Sequence, residues 1–206
     1  MNYRALAALL AYPEGELIDA LPEIRAALSP QRDLAALLDE MQREPLTALQ
    51  ERYVALFDRS RALSLHLFEH VHGESRDRGQ AMVDLAQTYA SRGFAVAGNE
   101  LPDYLPAFLE FLSVLPREEA RGMIGEAAEI LRALGDRLAE RGSRYAAVFA
   151  TLLAAGGEAG LTRPLAARPT TGEESSPAAI DKAWMDEPVT FGGPQPVKFY
   201  GKGARP

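Results

Sequence analysis

The stretch ERYVALFDRSRALSLHLFEHVHGESRDRGQAMVDL, residues 51–85, decides how this chain is to be read. Tyr53, Leu56 and Phe57, with Leu49 just before them, recur at three- and four-residue spacing and so share one face of a helix. Met82, Leu85 and Tyr89 resume that spacing after a polar break, and Gly93 is its expected stop. The break holds all three histidines of the chain, His66, His70 and His72. On a continuous helix His66 and His70 lie one turn apart with Glu69 beside them. His66-Leu67-Phe68-Glu69-His70 is then the H-x-x-E-H arrangement that a zinc ion and a general base need. No motif marks a third ligand, and Gly73 interrupts the helix before Glu74. The other reading is a helix–turn–helix corner. His70 and His72 complement the dipole at one helix end, Gly73 ends it, and Ser75 caps a second helix opening with Arg76, Asp77, Arg78 and Gln80. The three imidazoles, ordinarily titrating near 6.5, also form a candidate charge switch.

Outward from this stretch the pattern stays helical. Leu34, Leu37, Leu38 and Met41 make one apolar face, and Leu105, Phe108, Leu109 and Leu112 another. Ile124, Ala128, Leu131, Leu134 and Leu138 form a third, followed by Tyr145, Val148, Phe149 and Leu152. Weaker amphipathic stretches cover 2–11 and 15–28. Alternating β-branched runs and hairpin turns are missing, as are G-x-G-x-x-G and the P-loop, so the usual nucleotide-binding folds are set aside. The expected fold is all-α, a single multi-helix domain over residues 1–154.

Composition changes near residue 155. The last quarter holds seven of the fourteen prolines and eight of the seventeen glycines, so 155–180 reads as a flexible linker. Residues 181–206 follow as a Pro/Gly-rich tail, yet Trp184, Val189 and Phe191 cluster in 181–192. A polar tail rarely keeps such a cluster, so that segment is expected to dock on the helical core. Acids and bases cancel after residue 154, so the net charge of −7 sits entirely on the helical region. Such a surface argues against nucleic acid, which demands clustered Lys and Arg, and suits a basic partner. The chain has no cysteine, which excludes thiolate chemistry and Cys-ligated metals. No signal peptide or apolar run long enough to span a bilayer is found, so a cytoplasmic protein without membrane insertion is expected.

Three segments carry a resemblance. ERYVALFDRSRALSLHLFEHVHGESRDRGQAMVDL (51–85), ELPDYLPAFLEFLSVLP (100–116) and DKAWMDEPVTFG (181–192) resemble the NarJ family, the assembly chaperones of respiratory nitrate reductase, within the wider TorD/DmsD-like group of molybdoenzyme chaperones. The Y-x-x-L-F element of that group corresponds here to Tyr53, Leu56 and Phe57. Its E-x-x-D-H-x-x-x-x-L-E/D-F-like element corresponds to Glu100, Asp103, Tyr104, Leu109, Glu110 and Phe111. Tyr104 stands where many relatives have His, so only a hydroxyl hydrogen bond carries over at that position.

The resemblance implies an all-helical chaperone with no catalytic turnover and speaks against a catalytic metal, and the missing phosphate-cradling loop leaves no bound cofactor expected. Its partner would be the apo catalytic subunit of nitrate reductase, chiefly that subunit's N-terminal segment. The chaperone would hold it competent for molybdenum-cofactor insertion, iron–sulfur completion and membrane assembly, beside the cofactor-insertion machinery, and leave the finished enzyme. A basic amphipathic peptide calls for an apolar groove with an acidic rim. The candidate client-binding residues are Tyr53, Phe57, Glu69, His70, His72, Glu74, Arg76, Asp77, Glu100, Asp103, Tyr104 and Glu110, with Asp84 nearby. Plainer readings stand beside several of these: Tyr53 and Phe57 as core, like Leu67, Phe68 and Val71; Asp103 as a helix N-cap; Glu110 as a solvated helix residue; Arg76 and Asp77 as ion pairs with neighbours. Two rivals stand beside the chaperone, a metal-dependent hydrolase using His66, Glu69 and His70, and a helical adaptor subunit that stays in its complex.

Overall fold

The computed structural model describes residues 1–29, 32–72, 75–98, 100–163 and 165. Ten α-helices form among them, and no strand does. In chain order they are α1 (Tyr3–Leu10), α2 (Gly15–Leu28), α3 (Arg32–Arg43), α4 (Leu46–Tyr53), α5 (Leu67–His72), α6 (Arg76–Ala90), α7 (Leu105–Ser113), α8 (Arg117–Glu126), α9 (Ala128–Glu140) and α10 (Ala146–Gly156).

Helix α10 is apolar almost all round and buries Ala146, Ala147, Val148, Phe149, Leu152 and Leu153. A helix apolar on every side must be enclosed, and α10 is packed by α9, α8 and α3. The second axis of the fold is α1 on α7. Leu6, Leu9 and Leu10 of α1 are fully buried, as are Leu105, Phe108 and Leu109 of α7. Pro106 stands at the start of α7, where its missing N–H costs nothing. The apolar stripe from Ile124 to Leu138 is buried as its spacing predicts, but it belongs to two helices that part at Ala127.

Helix α4 runs on into a π-helical turn, Val54–Asp58, closed by the Arg59 N–H on the Val54 carbonyl at 3.1 Å. The wider turn brings Leu56 and Phe57 inward together. Aromatic rings then line up from Tyr12 through Tyr53 and Phe57 to Tyr145, with centroids 5.5, 4.9 and 5.2 Å apart.

The chain stays packed past residue 154, the expected end of the helical domain. Gly157 takes the left-handed conformation (φ 76°) that closes α10. Leu161 then lies against Gly135, and the Asp136 carboxylate accepts hydrogen bonds from the backbone N–H groups of Thr162 and Arg163 and from the Thr162 hydroxyl. The remaining linker and the 181–206 docking expectation fall outside the described residues.

Candidate functional site: a buried carboxylate beneath an aromatic and acidic face

Two of the three resembling segments, 51–85 and 100–116, meet edge to edge. The Leu67 N–H donates to the Asp103 carbonyl at 2.9 Å, and the Leu105 N–H to the Leu65 carbonyl at 2.8 Å. This antiparallel bridge pairs His66 with Tyr104, so both are extended residues just ahead of α5 and α7. His66 therefore does not share a helix with His70, as continuous H-x-x-E-H geometry requires.

Asp103 is completely buried beneath the bridge. One carboxylate oxygen accepts from His66 Nδ1–H at 3.2 Å. The other accepts the Phe68 N–H at 3.2 Å and lies 3.5 Å from the Arg78 guanidinium, which also reaches Glu69 at 3.3 Å. Burial by itself pushes an acid up. Here the hydrogen bond and charge of His66, the charge of Arg78 and the Phe68 N–H overcome it and hold Asp103 below the usual carboxylate range. His66 is raised in turn, first by its hydrogen bond to Asp103, against the opposing effect of burial. Asp103 does not cap its own helix, since Tyr104 is the N-cap residue of α7. Its carboxylate instead satisfies a free N–H in the first turn of α5.

His70 faces elsewhere. Its Nε2–H donates to the Ser64 carbonyl at 2.8 Å, and burial lowers its pKa although that bond favours the charged form. His72 stacks edge-on against Phe68, with centroids 5.7 Å apart. The three histidines are thus not one switch: His66 is raised, His70 is lowered, and their partners differ. The zinc arrangement fails for the same reason, because His66, Glu69 and His70 are committed to Asp103, Arg78 and Ser64. Among the described residues no group of three or more His, Asp or Glu side chains is placed to hold a metal. Ser75 occupies the N-cap position of α6 but makes no capping hydrogen bond with its side chain.

Above this cluster the tyrosines form a second one. The Tyr53 hydroxyl donates to the Leu10 carbonyl at 3.0 Å, so the Tyr104 hydroxyl is the donor across the 3.2 Å between them. Tyr104 also lies over the His66 ring, with centroids 5.4 Å apart. Burial raises the pKa of both tyrosines. Glu100 and Asp58 are exposed and close enough to Tyr104 to raise it further. Tyr12, 42 % exposed, stands edge-on to Tyr53, and Leu101, 40 % exposed, precedes Tyr104 by one turn. The Tyr89 hydroxyl fixes the same loop through the Pro102 carbonyl at 2.8 Å. The result is an apolar, aromatic face edged by carboxylates.

Of the candidates read from sequence, Tyr53, Glu69, His70, Asp103 and Tyr104 converge at or beside the bridge, with Glu100 at its edge. Phe57 is buried behind Tyr53. Arg76, Asp77 and Glu110 are exposed and lie outside the hydrogen-bonded cluster, and Asp84 is an exposed residue that accepts from Gln80. Glu74 lies outside the described residues. From sequence, Arg78 reads only as part of the second helix's first turn, and Tyr12 is not singled out. The i+9 distance from Glu69 to Arg78 across a break has no local signature, and an aromatic just after a helix end reads as loop.

A family model described as the nitrate reductase delta subunit matches residues 19–151. The nitrate reductase molybdenum cofactor assembly chaperone NarJ of Escherichia coli strain K12 is 42 % identical over 193 residues, 89 % of this chain and 81 % of that protein. NarW of the same strain, named a probable chaperone of the same kind, is 40 % identical over 193 residues, 91 % of this chain and 82 % of its own. A chaperone of Bacillus subtilis strain 168, also named as probable, is 32 % identical over 161 residues, 75 % of this chain and 88 % of its own. The chain belongs to the nitrate reductase delta subunit family.

Proposed function

We propose that this member of the nitrate reductase delta subunit family is the assembly chaperone of a respiratory nitrate reductase. It has no catalytic turnover, and it acts in the cytoplasm on the apo catalytic subunit. It binds that subunit's N-terminal segment and holds it competent for molybdenum-cofactor insertion, iron–sulfur cluster completion and membrane assembly. It then leaves the finished enzyme. The names of the relatives support the chaperone role. Among the described residues no helix is long and apolar enough to cross a membrane, consistent with action before docking.

The observation that carries the client-binding reading is the face at the bridge. Tyr12, Leu101 and Tyr104 offer apolar surface to one side of an amphipathic peptide, while Glu100 and Asp58 meet its basic side chains. The buried Asp103 cluster holds the face rigid, so little ordering is left to be done on binding.

Calorimetric titration of the full chain with a synthetic peptide of the catalytic subunit's N-terminal segment tests this. The expected result is 1:1 binding that weakens about tenfold or more in the double variant Glu100→Lys/Asp58→Lys, with a smaller difference at high salt. Peptide binding that ignores both this charge reversal and Tyr12→Ala moves the site elsewhere. Absence of binding ends the reading.

A further inference from the structure

A groove of about 1070 Å³ opens at the other end of the α1–α7 pair. It lies beside the start of α1 and the end of α7, whereas the Tyr12–Tyr104 face lies at the end of α1 and the start of α7. An eight-residue helix separates the two by about 12 Å. The groove is walled by α2, α3, α8 and α10, with Leu28, Leu34, Leu112, Leu115 and Ala154 along it, and its volume reaches that of a small-ligand cleft. Asp33 and Arg117 stand on it, and Arg117 and Arg121 both bear electrostatically on Tyr3 in its lining.

The chain itself supplies the occupant. Leu165, the last described residue, is part of the groove's lining, so the packed body delivers the chain into the groove. Residues 166–206 follow. About sixteen residues on from Leu165 lies DKAWMDEPVTFG, with Trp184, Met185, Val189 and Phe191 as apolar groups. Its three acids against one lysine complement the two arginines, and Lys182 suits Asp33. Sixteen residues reach about 50 Å when extended, so the tether does not limit access to the groove.

We propose that residues 181–192 occupy this groove as an intramolecular strap, with Trp184 as the anchor and Asp186 and Glu187 facing Arg117. A short tether supplies an effective concentration in the mM range, so an intrinsic Kd as weak as ~100 μM leaves about nine-tenths of molecules closed. The strap is separate from the client-binding reading, because the two faces lie at opposite helix ends.

Trp184 is the chain's single tryptophan, so its fluorescence reports the strap directly. In the full-length protein the emission should be blue-shifted, and iodide quenching several-fold slower than for a free tryptophan derivative. Both should be independent of protein concentration. Ala27 and Ala154 are exposed helical alanines on the groove wall. Ala27→Glu and Ala154→Glu should therefore leave the far-UV spectrum intact while shifting the emission red and restoring rapid quenching, and Arg117→Glu should do so in part. Free quenching of Trp184 in the unmodified protein overturns the proposal. So does shielding that survives both groove variants, which places the segment elsewhere, or shielding lost on dilution together with a halving of mass, which makes the occupant a second copy. Calorimetry with the client peptide should be unaffected by Ala154→Glu, which keeps this result apart from that of the client site.

Discussion

Replacing Asp103 by Asn tests whether one buried carboxylate pins the two signature segments together. The side chain keeps its shape and one acceptor oxygen, which can still serve the Phe68 N–H. Its amide group then faces His66 Nδ1, so donor meets donor while the imidazole is protonated, and Arg78 keeps an acceptor but loses its charge partner. A charge-assisted hydrogen bond contributes about 1.5–3 kcal/mol, and breaking a fully buried ion pair costs about 3–5 kcal/mol. Asp103 is fully buried, but the side chains of His66 and Arg78 keep 28 % and 18 % of their exposure, so each recovers some hydration when the carboxylate is lost. The expected loss is therefore about 2–3 kcal/mol, or roughly 5–10 °C in Tm for a chain of this size. Urea unfolding followed by far-UV circular dichroism measures it, with an unchanged m-value. Glu100→Gln, an exposed acid in the same loop, should stay within about 0.5 kcal/mol.

The pH dependence sharpens that test. Asp103 is depressed from 3.8, so its contribution is present above 3.8 and lost as pH falls through its lower folded value. His66 is raised from 6.5, so its contribution is complete below 6.5 and lost as pH rises through its higher folded value. The cost of Asp103→Asn should be greatest between those two ordinary values and should fall at higher pH as His66 loses its charge, leaving only the Arg78 charge without its partner. A cost below about 0.5 kcal/mol, or one that stays constant as pH rises through the titration of His66, refutes the pinning argument.

His70 should show the opposite sign: its pKa is lowered, so its contribution is present above 6.5 and lost as pH falls. His70→Gln should remove part of the Tm decrease seen on acidification through that range, while His66→Gln should remove part of the decrease on alkalinisation. Tyr53→Phe should cost about 1–1.5 kcal/mol by chemical denaturation, because the Leu10 carbonyl loses a buried donor. Gly135→Ala should cost about 1–3 kcal/mol despite alanine's better helix propensity, since its Cβ would sit 2.9 Å from Phe149 Cβ. Adding Leu161→Ala should recover only the part due to Leu161. Asp136→Ala, which leaves the Thr162 and Arg163 N–H groups without their acceptor, should speed proteolytic nicking at 157–163 while the far-UV spectrum stays unchanged.

The helical faces were legible because burial at three- and four-residue spacing is a local pattern: every residue named on the 34–41, 105–112 and 145–152 faces is buried. The signature segments were also legible, through resemblance. What local pattern could not carry was the pairing between them. Asp103 reads as an N-cap from its place before Leu105-Pro106, yet its carboxylate turns back to a helix start 35 residues earlier. His66 and His70 read as one helical pair, yet His66 is drawn into a bridge with Tyr104 and leaves the helix. Both misreadings have one cause, a non-local backbone pairing too short to give a strand pattern. The π-helical turn at Val54–Asp58 is hidden similarly, because one extra residue in a turn leaves the apolar spacing nearly unchanged.

That pairing decides how charge in this region is to be divided. Asp103 is fully buried and already satisfied by His66, Phe68 and Arg78. An arriving arginine would have to desolvate and displace a buried partner, at a cost that outweighs a surface contact. Glu100 and Asp58 are exposed beside Tyr104 and carry no such cost. Changes at Asp103 should therefore move stability first, and peptide affinity only as far as the bridge loosens. Changes at Glu100 and Asp58 should move affinity and its salt dependence while leaving Tm unchanged. A chaperone that must release its client would benefit from that separation, because the acids proposed to meet the client are not the ones that hold the fold.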